Sequence, residues 1–376
     1  MLRLGQTTAN LAQGRAQWKE LMAGHLPGGD ADSDRLVEVT GFGANPGNLR
    51  MLAHVPADLP PGAPLVVALH GCTQTAAGYD TGTGWSALAD RYGFAVLLPE
   101  QKRENNANLC FTWFEPGDTT SGQGEAESIR EMVERMVADH GLDRRRVYVT
   151  GLSAGGAMTA VLLATHPDVF AGGAILAGLP HGAASNVQEA FEAMFQCPER
   201  PATDWGDRVR AASAHRGPWP RVSIWHGGAD TTVTPRNADE LVKQWTNVHG
   251  LPTAPTLEEA GPGHVRRVWH DADGEPVVEQ YAIAGMAHGV PLHPGEGPGE
   301  GEERCGVAGP HMLDVGLSST HRIAASWVLV PARRPEFTAP RERLAVPAEP
   351  QHDGSLGGFI HSTITRALEA AGLIKR

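Results

Sequence analysis

Gly151-Leu152-Ser153-Ala154-Gly155, followed by Gly156, frames a serine with glycines at the spacing of a nucleophile elbow. A strand-like run, Val147 to Thr150, precedes it, and a helical pattern starts at Ala154. A chain turning directly from strand to helix holds the serine backbone in a strained conformation, and any side chain two positions away would collide with a neighbouring element. Such a turn lifts Ser153 Oγ out at the carboxyl edge of a sheet, beside a helix N-terminus whose partial positive charge favours a developing anion. The chemistry is nucleophilic attack on an acyl group. The competing reading is a plain tight turn in which Ser153 only caps the helix.

A serine hydroxyl is a weak nucleophile at neutral pH and needs a base that is itself oriented by a carboxylate. In chains with this elbow the order is serine, acid, histidine. Arg221 to Asp230 reads as a strand running into a glycine turn that ends in an aspartate, so Asp230 is the candidate acid. Asp204, Asp207, Asp239 and Glu240 compete, but the first two fall in an irregular stretch and the last two in a helix, where loop presentation is lost. Tyr281 to Gly289 repeats the pattern of strand, small-residue turn and loop histidine, which makes His288 the candidate base. Its rivals among the 17 histidines are His226, which precedes Asp230 and breaks the order, and His293 and His311, which lie deeper in a glycine-rich loop. The tetrahedral intermediate of acyl transfer needs two preorganised N–H donors, each worth about 10²–10³ in rate. One is the backbone N–H of Ala154, the residue after the nucleophile. The other is expected after an earlier strand, and Leu65 to Leu69 running into His70-Gly71 points to the backbone N–H of Cys72.

These residues need a scaffold. Strand-like runs alternate with helical ones from residue 35 to residue 330, which implies an α/β fold with a mostly parallel sheet covered by helices on both faces. Leu36 to Val39 and Leu49 to His54 read as an opening hairpin, followed by runs at Leu65 to Leu69, Phe94 to Leu98, Val147 to Thr150, Gly173 to Leu176, Val222 to Trp225 and Val278 to Ile283. The clearest helix is Glu125 to His140, whose apolar residues fall at i, i+3, i+4, i+7 and i+8, with Gly141 just past its end. Ala154 to Thr165, Arg236 to Val248 and Ser318 to Val328 read the same way. Gly178 to Pro220 and Gly289 to Pro310 read as irregular, and both follow strands, where an open α/β sheet places its ligand site. The 376 residues first suggest two to three domains at about 150 residues each. The pattern resolves instead into an N-terminal extension (1–30), a large catalytic domain (31–330) and a Pro-rich linker with a final helix (331–376).

Composition narrows the partners. Lys plus Arg is 31 against 43 Asp plus Glu, a formal charge of −12, which argues against a protein that tracks phosphates on nucleic acid or an anionic membrane. An uncharged small-molecule or oligomeric ester is easier to accommodate; the oligomeric state is not legible. No run approaches the roughly 18 apolar residues of a membrane span, and the first 30 residues lack the continuous apolar core of a secretory signal. Four cysteines without C-x-x-C spacing, and no H-E-x-x-H, give no metal site and call for no cofactor.

The segments LHGCTQTAAGYD, NLCFTWFEP, GQGEAESIREMV, VYVTGLSAGGAM, WHGGADTTVTPRN and CGVAGPHMLDVGLSSTHRIAASW resemble the catalytic domain of the polyhydroxybutyrate depolymerase family of esterases, which also contains feruloyl and acetylxylan esterases. The likeness spans about residues 35 to 330 and implies an α/β-hydrolase fold with nucleophile, acid and base at Ser153, Asp230 and His288 and an oxyanion cysteine at Cys72. It also implies disulfides, Cys72 with Cys110 and Cys197 with Cys305. Spacing alone leaves three connectivities open, and four free buried thiols are the alternative. The family implies secretion; with no signal visible, the cytoplasm is the alternative. Trp113, with Trp85, Phe111 and Phe114, is a candidate lining for an alkyl-ester cleft, and His181 a further candidate to face it. The expected activity is serine carboxylic-ester hydrolysis through an acyl-enzyme, on short polyhydroxyalkanoate oligomers or related aliphatic polyesters. Secreted members commonly append a polymer-binding domain, for which the 46 residues after 330 leave no room, so soluble oligomers are expected over crystalline granules. The runner-up is aryl or sugar esters; a serine peptidase, a thioesterase or a non-catalytic binding protein on the same fold are further alternatives.

Overall fold

The computed structural model describes residues 35–295 and 304–330. The expected extension at 1–30 and the linker and helix after 330 lie outside them. Within the described residues the strands are β1 (Val37–Val39), β2 (Arg50–His54), β3 (Leu65–Leu69), β4 (Ala95–Glu100), β5 (Val147–Leu152), β6 (Gly172–Leu176), β7 (Arg221–Gly227), β8 (Leu257–Gly261), β9 (His264–His270) and β10 (Pro276–Ile283). They form one sheet in the order β1-β2-β4-β3-β5-β6-β7-β10-β9-β8. The stretch from β4 to β10 is parallel throughout, while β1 and β2 at one edge and β9 and β8 at the other run antiparallel. A short parallel pair, β11 (Val290–Leu292) and β12 (Met312–Asp314), stands apart.

The continuous apolar runs are explained by two cores. Along β3, Leu65, Val67 and Leu69 enter one cluster and Val66 and Ala68 the other, because alternate residues of a strand face opposite sides of the sheet. The first cluster lies beneath the helices Gly124–His140, Ala154–Thr165 and Arg236–Val248; the second takes in the helix Trp85–Tyr92 and Ser319–Ser326. With both faces covered, neither set of positions can be polar.

The eight strands read from the sequence are present, with ends shifted by a few residues. The hairpin β8–β9 escapes that reading. Its strands carry few apolar residues and are tied by charge instead, Arg266 Nη1 to Glu259 at 2.7 Å, Arg267 Nε to Glu258 at 2.7 Å and Arg266 Nε to Glu279 on β10 at 2.9 Å. Gly178 to Pro220 is not irregular throughout: it holds the helices Val187–Phe195 and Ala202–Ala211. The first is capped by Asn186, whose side chain accepts from Glu189 N. The second is fastened to Arg236–Val248 by Trp205 Nε1 donating to Glu240 Oε2 at 2.6 Å. Each spans under three turns, too short to show a sustained period.

Cys72 and Cys110 are bridged across 38 residues. Cys197 and Cys305 are not; both are free and buried. Cys197 follows the helix Val187–Phe195, whose Ala193 and Met194 belong to the first core, while Cys305 sits against Gly84 with Sγ 3.0 Å from Ser318 Oγ, beside residues of the second.

Candidate active site

Ser153 occupies the turn between β5 and the helix Ala154–Thr165 with φ 57° and ψ −115°, a left-handed backbone that non-glycine residues rarely adopt. The turn survives because its neighbours are locked. Ser153 N donates to Leu176 O on β6 at 2.9 Å, and a Cβ on Gly155 would collide with the carbonyls of Leu69 and His70. The helix can therefore start against the end of β3 only with glycine at that position. Ser153 is half-buried, and Ala154 behind it is buried.

Asp230 and His288 come from neighbouring strands. β7 and β10 pair in parallel with His226 opposite Ala282 and Gly227 opposite Ile283, so the loops that follow them are side by side. The loops are then zipped by Gly228 N to Ile283 O at 2.8 Å and Ala229 N to Met286 O at 2.9 Å. Gly227 has no room for a side chain, since its Cβ would strike the Met286 and Ala287 carbonyls. The result is a 2.7 Å hydrogen bond between His288 Nδ1 and Asp230 Oδ2. The other carboxylate oxygen, Oδ1, accepts from Thr232 N at 2.8 Å and Val233 N at 2.9 Å. Although burial pushes the Asp230 carboxyl upward, the hydrogen bonds and charges of His226 and His288 outweigh it and hold it well below the usual carboxylate range. It is ionised at any working pH. No hydrogen bond joins Ser153 Oγ to His288 among the described residues; such contacts are commonly loose before substrate binds.

Chain order set His226 aside, but the fold brings it to the same carboxylate. Its Nε2 is 2.8 Å from Val233 O and 3.2 Å from Asp230 Oδ2. Since a carbonyl only accepts, Nε2 carries the proton and the Asp230 anion receives a further donor. No sequence signal beyond the proximity of residues 226 and 230 marked this. Three of the four rival acids are engaged elsewhere: Asp207 with Arg210, Asp239 with Gln280, and Glu240 with Trp205 and Lys243. His311 Nδ1 donates to the His288 carbonyl at 3.0 Å, and His293 pairs with Cys305 in an isolated bridge.

On the opposite side of Ser153, β3 runs next to β5 with Leu69 opposite Gly151, which carries the 70–74 turn towards Ser153. His70 is buried. Its Nδ1 lies 2.8 Å from Gly71 O and its Nε2 accepts from Gln101 N at 3.2 Å, so the proton sits on Nδ1. Burial lowers the His70 pKa and keeps the ring neutral. In a trans peptide the C=O and the following N–H point in opposite directions. Holding the Gly71 carbonyl against His70 therefore turns the Cys72 N–H away from it. Thr73, at φ 64°, donates its N–H to Asn108 O at 2.7 Å, and the Cys72–Cys110 bridge ties the turn to the same segment.

A cleft of about 120 Å³ opens beside Ser153, walled by Cys72, Ala154, Trp113, Phe114 and the helix Val187–Phe195. Trp85 is not in its wall. It is 2% exposed, stacked on Trp327 with ring centroids 6.1 Å apart, and Phe111 is equally buried, packed against His70. His181 is not in the wall either. Its backbone is pinned to Gln244 by two 3.0 Å hydrogen bonds, and burial, helped by the charge of Arg208, pushes its pKa down to about 4. The lining missed from the sequence is the helix face Val187, Ala190, Phe191 and Met194. Its i, i+3, i+4, i+7 spacing was legible, but in a stretch read as loop.

The Cys110–Phe114 wall rests on a buried carboxyl. Glu125 Oε2 accepts from Thr112 N at 2.8 Å, and Thr112 Oγ1 lies 2.7 Å from Glu125 Oε1 and 2.6 Å from Asp118 Oδ2. One hydroxyl hydrogen cannot serve both oxygens, so a carboxyl of the pair holds a proton. Burial, reinforced by the Asp118 charge against hydrogen bonds that pull the other way, pushes Glu125 up to about 8. A carboxyl raised on folding contributes stability fully present below its ordinary pKa, about 4.3, and lost as pH rises through about 8. Unfolding free energies from urea titrations between pH 5 and 9 are expected to fall as pH rises to about 8, by up to about 1.4 kcal/mol per pH unit for one group, and to level off above. Glu125→Gln should remove that slope whatever its constant offset; an unchanged slope would refute the assignment.

Among the described residues no three His, Cys, Asp or Glu side chains are grouped to hold a metal ion, and no helix is long and apolar enough to cross a membrane. A family model described as "Esterase PHB depolymerase" matches residues 54–266. The chain is 50% identical over 296 residues to poly(3-hydroxyalkanoate) depolymerase C of Paucimonas lemoignei, covering 78% of this chain and 70% of that protein. It is 38% identical over 246 residues to feruloyl esterase B of Thermothelomyces thermophilus, covering 63% of this chain and 83% of that protein. Among solved structures, acetyl xylan esterase from Aspergillus awamori superposes with a TM-score of 0.63 at 30% identity, over 67% of this chain and 93% of that one.

Proposed function

The chain belongs to the PHB depolymerase family of esterases, and from that premise we propose that this carboxylic-ester hydrolase cleaves short polyhydroxyalkanoate oligomers or related aliphatic esters, with residues 31–330 as its catalytic domain. Ser153 Oγ attacks the ester carbonyl while His288 Nε2 takes its proton. Asp230 holds the His288 Nδ1–H in the matching tautomer and stabilises the imidazolium that forms. The Ala154 and Cys72 N–H groups receive the oxyanion. His288 then returns the proton to the leaving alcohol, and water repeats the cycle on the acyl-enzyme to release the acid.

The observation that carries the substrate reading is the cleft beside Ser153, apolar and about 120 Å³. An enclosed apolar cavity of about 150 Å³ takes up one benzene. A short aliphatic acyl group is accommodated in a comparable volume, whereas a feruloyl group, a substituted ring on a three-carbon chain, has to extend from the cleft toward solvent. The same size also admits an acetyl group, so acetylated sugars are the second reading, supported by the likeness to the Aspergillus acetyl xylan esterase. Release of hydroxybutyrate from its soluble trimer, of acetate from acetylated xylo-oligosaccharides and of ferulate from methyl ferulate separates them. The trimer is expected to be turned over fastest and methyl ferulate at least tenfold more slowly than either; ferulate release as the fastest reaction would overturn the reading.

A further inference from the structure

We infer that the cleft beneath the helix Val187–Phe195 is the acyl side of the site, and that Ala190 and Met194 set the length of acyl chain accepted. The inference rests on the triad proposed above. In that mechanism the leaving alcohol takes its proton from His288, so it lies against His288, while the acyl carbonyl is bonded to Ser153 with its oxygen on the Ala154 and Cys72 N–H groups. The cleft is walled by Ser153, Ala154 and Cys72, and His288 is not among its lining residues. It therefore receives the part of the ester that stays on the serine.

The helix offers this cleft one apolar face, Val187, Ala190, Phe191 and Met194. The face is graded. Val187 at the N-terminal end is 52% exposed, whereas Ala190 and Met194 are 4% and 8% exposed. The buried end is also the fastened end: Thr234 N donates to Met194 O at 2.8 Å and Asn237 Nδ2 to Ala193 O at 2.9 Å. Thr234 lies on the loop that follows Asp230 and Asn237 in the first turn of the helix Arg236–Val248 to which that loop leads, and Val233 of the same loop lines the cleft as well. The far wall of the acyl site is thus built on the loop that carries the acid, and cannot retreat from a longer chain without disturbing Asp230. The N-terminal end of the helix is held by its own cap and by Ser185 on Glu189. Length selection accordingly falls to the buried end, where a methyl and a thioether decide the space.

Methylene-sized differences in an apolar pocket change kcat/KM by about 10- to 200-fold. The test measures kcat/KM for p-nitrophenyl acetate, butyrate and octanoate with the full chain. Ala190→Leu is expected to lower the butyrate-to-acetate ratio about tenfold, and Met194→Ala to raise the octanoate-to-butyrate ratio about tenfold. Ala190→Val, a smaller intrusion, keeps the test open should the leucine prevent folding, and should lower the butyrate-to-acetate ratio in the same direction. Ratios within twofold of wild type in soluble variants would overturn the inference. A separate arm treats wild-type protein with a fluorophosphonate and maps the adduct. Labelling of Ser153 with unchanged ratios refutes the acyl-site assignment alone, whereas absence of labelling refutes the triad and the inference with it.

Discussion

Replacing Ser153 by alanine is expected to lower kcat on p-nitrophenyl butyrate by about 10⁵–10⁶-fold, the scale seen when a serine nucleophile is deleted from an intact triad. The loss follows from the elbow. The proposed mechanism gives the attack to the Ser153 hydroxyl at the β5-to-helix turn, and the strained backbone there, at φ 57°, is maintained by contacts that do not involve the hydroxyl. Alanine has the same Cβ and accepts the same packing, so the unfolding free energy should change by less than about 0.5 kcal/mol, as for a change outside the core. Activity and stability are thereby separated in a single variant. Measured turnover within tenfold of wild type, after removal of contaminating wild-type protein, would exclude Ser153 as the nucleophile.

Asp230→Asn is expected to lower kcat by about 10⁴-fold with little change in KM. The reason is visible in how the carboxylate is held. Thr232 N and Val233 N both donate to Oδ1, so the carbonyl oxygen of an asparagine must take that place. Its amide NH2 is then forced to the Oδ2 position, 2.7 Å from His288 Nδ1 and 3.2 Å from His226 Nε2. There it can only donate. His288 Nδ1 must accept, the ring proton moves to Nε2, and Nε2 can no longer take the proton of Ser153. His226 Nε2–H would also face a donor where it now meets an anion. Steady-state kinetics on the same ester, with an intact thermal transition as control, reads the effect; a loss below about tenfold would mean that Asp230 does not set the tautomer.

The strand-to-helix elbow at Ser153 is legible in one chain because its determinants lie within ten residues, 147–156: an apolar strand, a serine, and glycines where Cβ atoms would collide. The same locality makes the parallel strands readable as short continuous apolar runs and the helix at residues 124–140 readable by its 3.6-residue period. It also marked Asp230 and His288 as loop residues at strand ends. That they meet at 2.7 Å across 58 residues depends on β10 joining the sheet beside β7, which no local period encodes. The same long-range order brings His226 to the acid, stacks Trp85 on Trp327 in the second core while Trp113 faces the cleft, and leaves Cys197 and Cys305 apart while Cys72 and Cys110 bridge. Residue types and short spacings determined which class of chemistry the chain carries and how its backbone turns at Ser153. Strand order and packing decided which side chains share a face, because burial selects neighbours by distance in space and is indifferent to their separation in sequence.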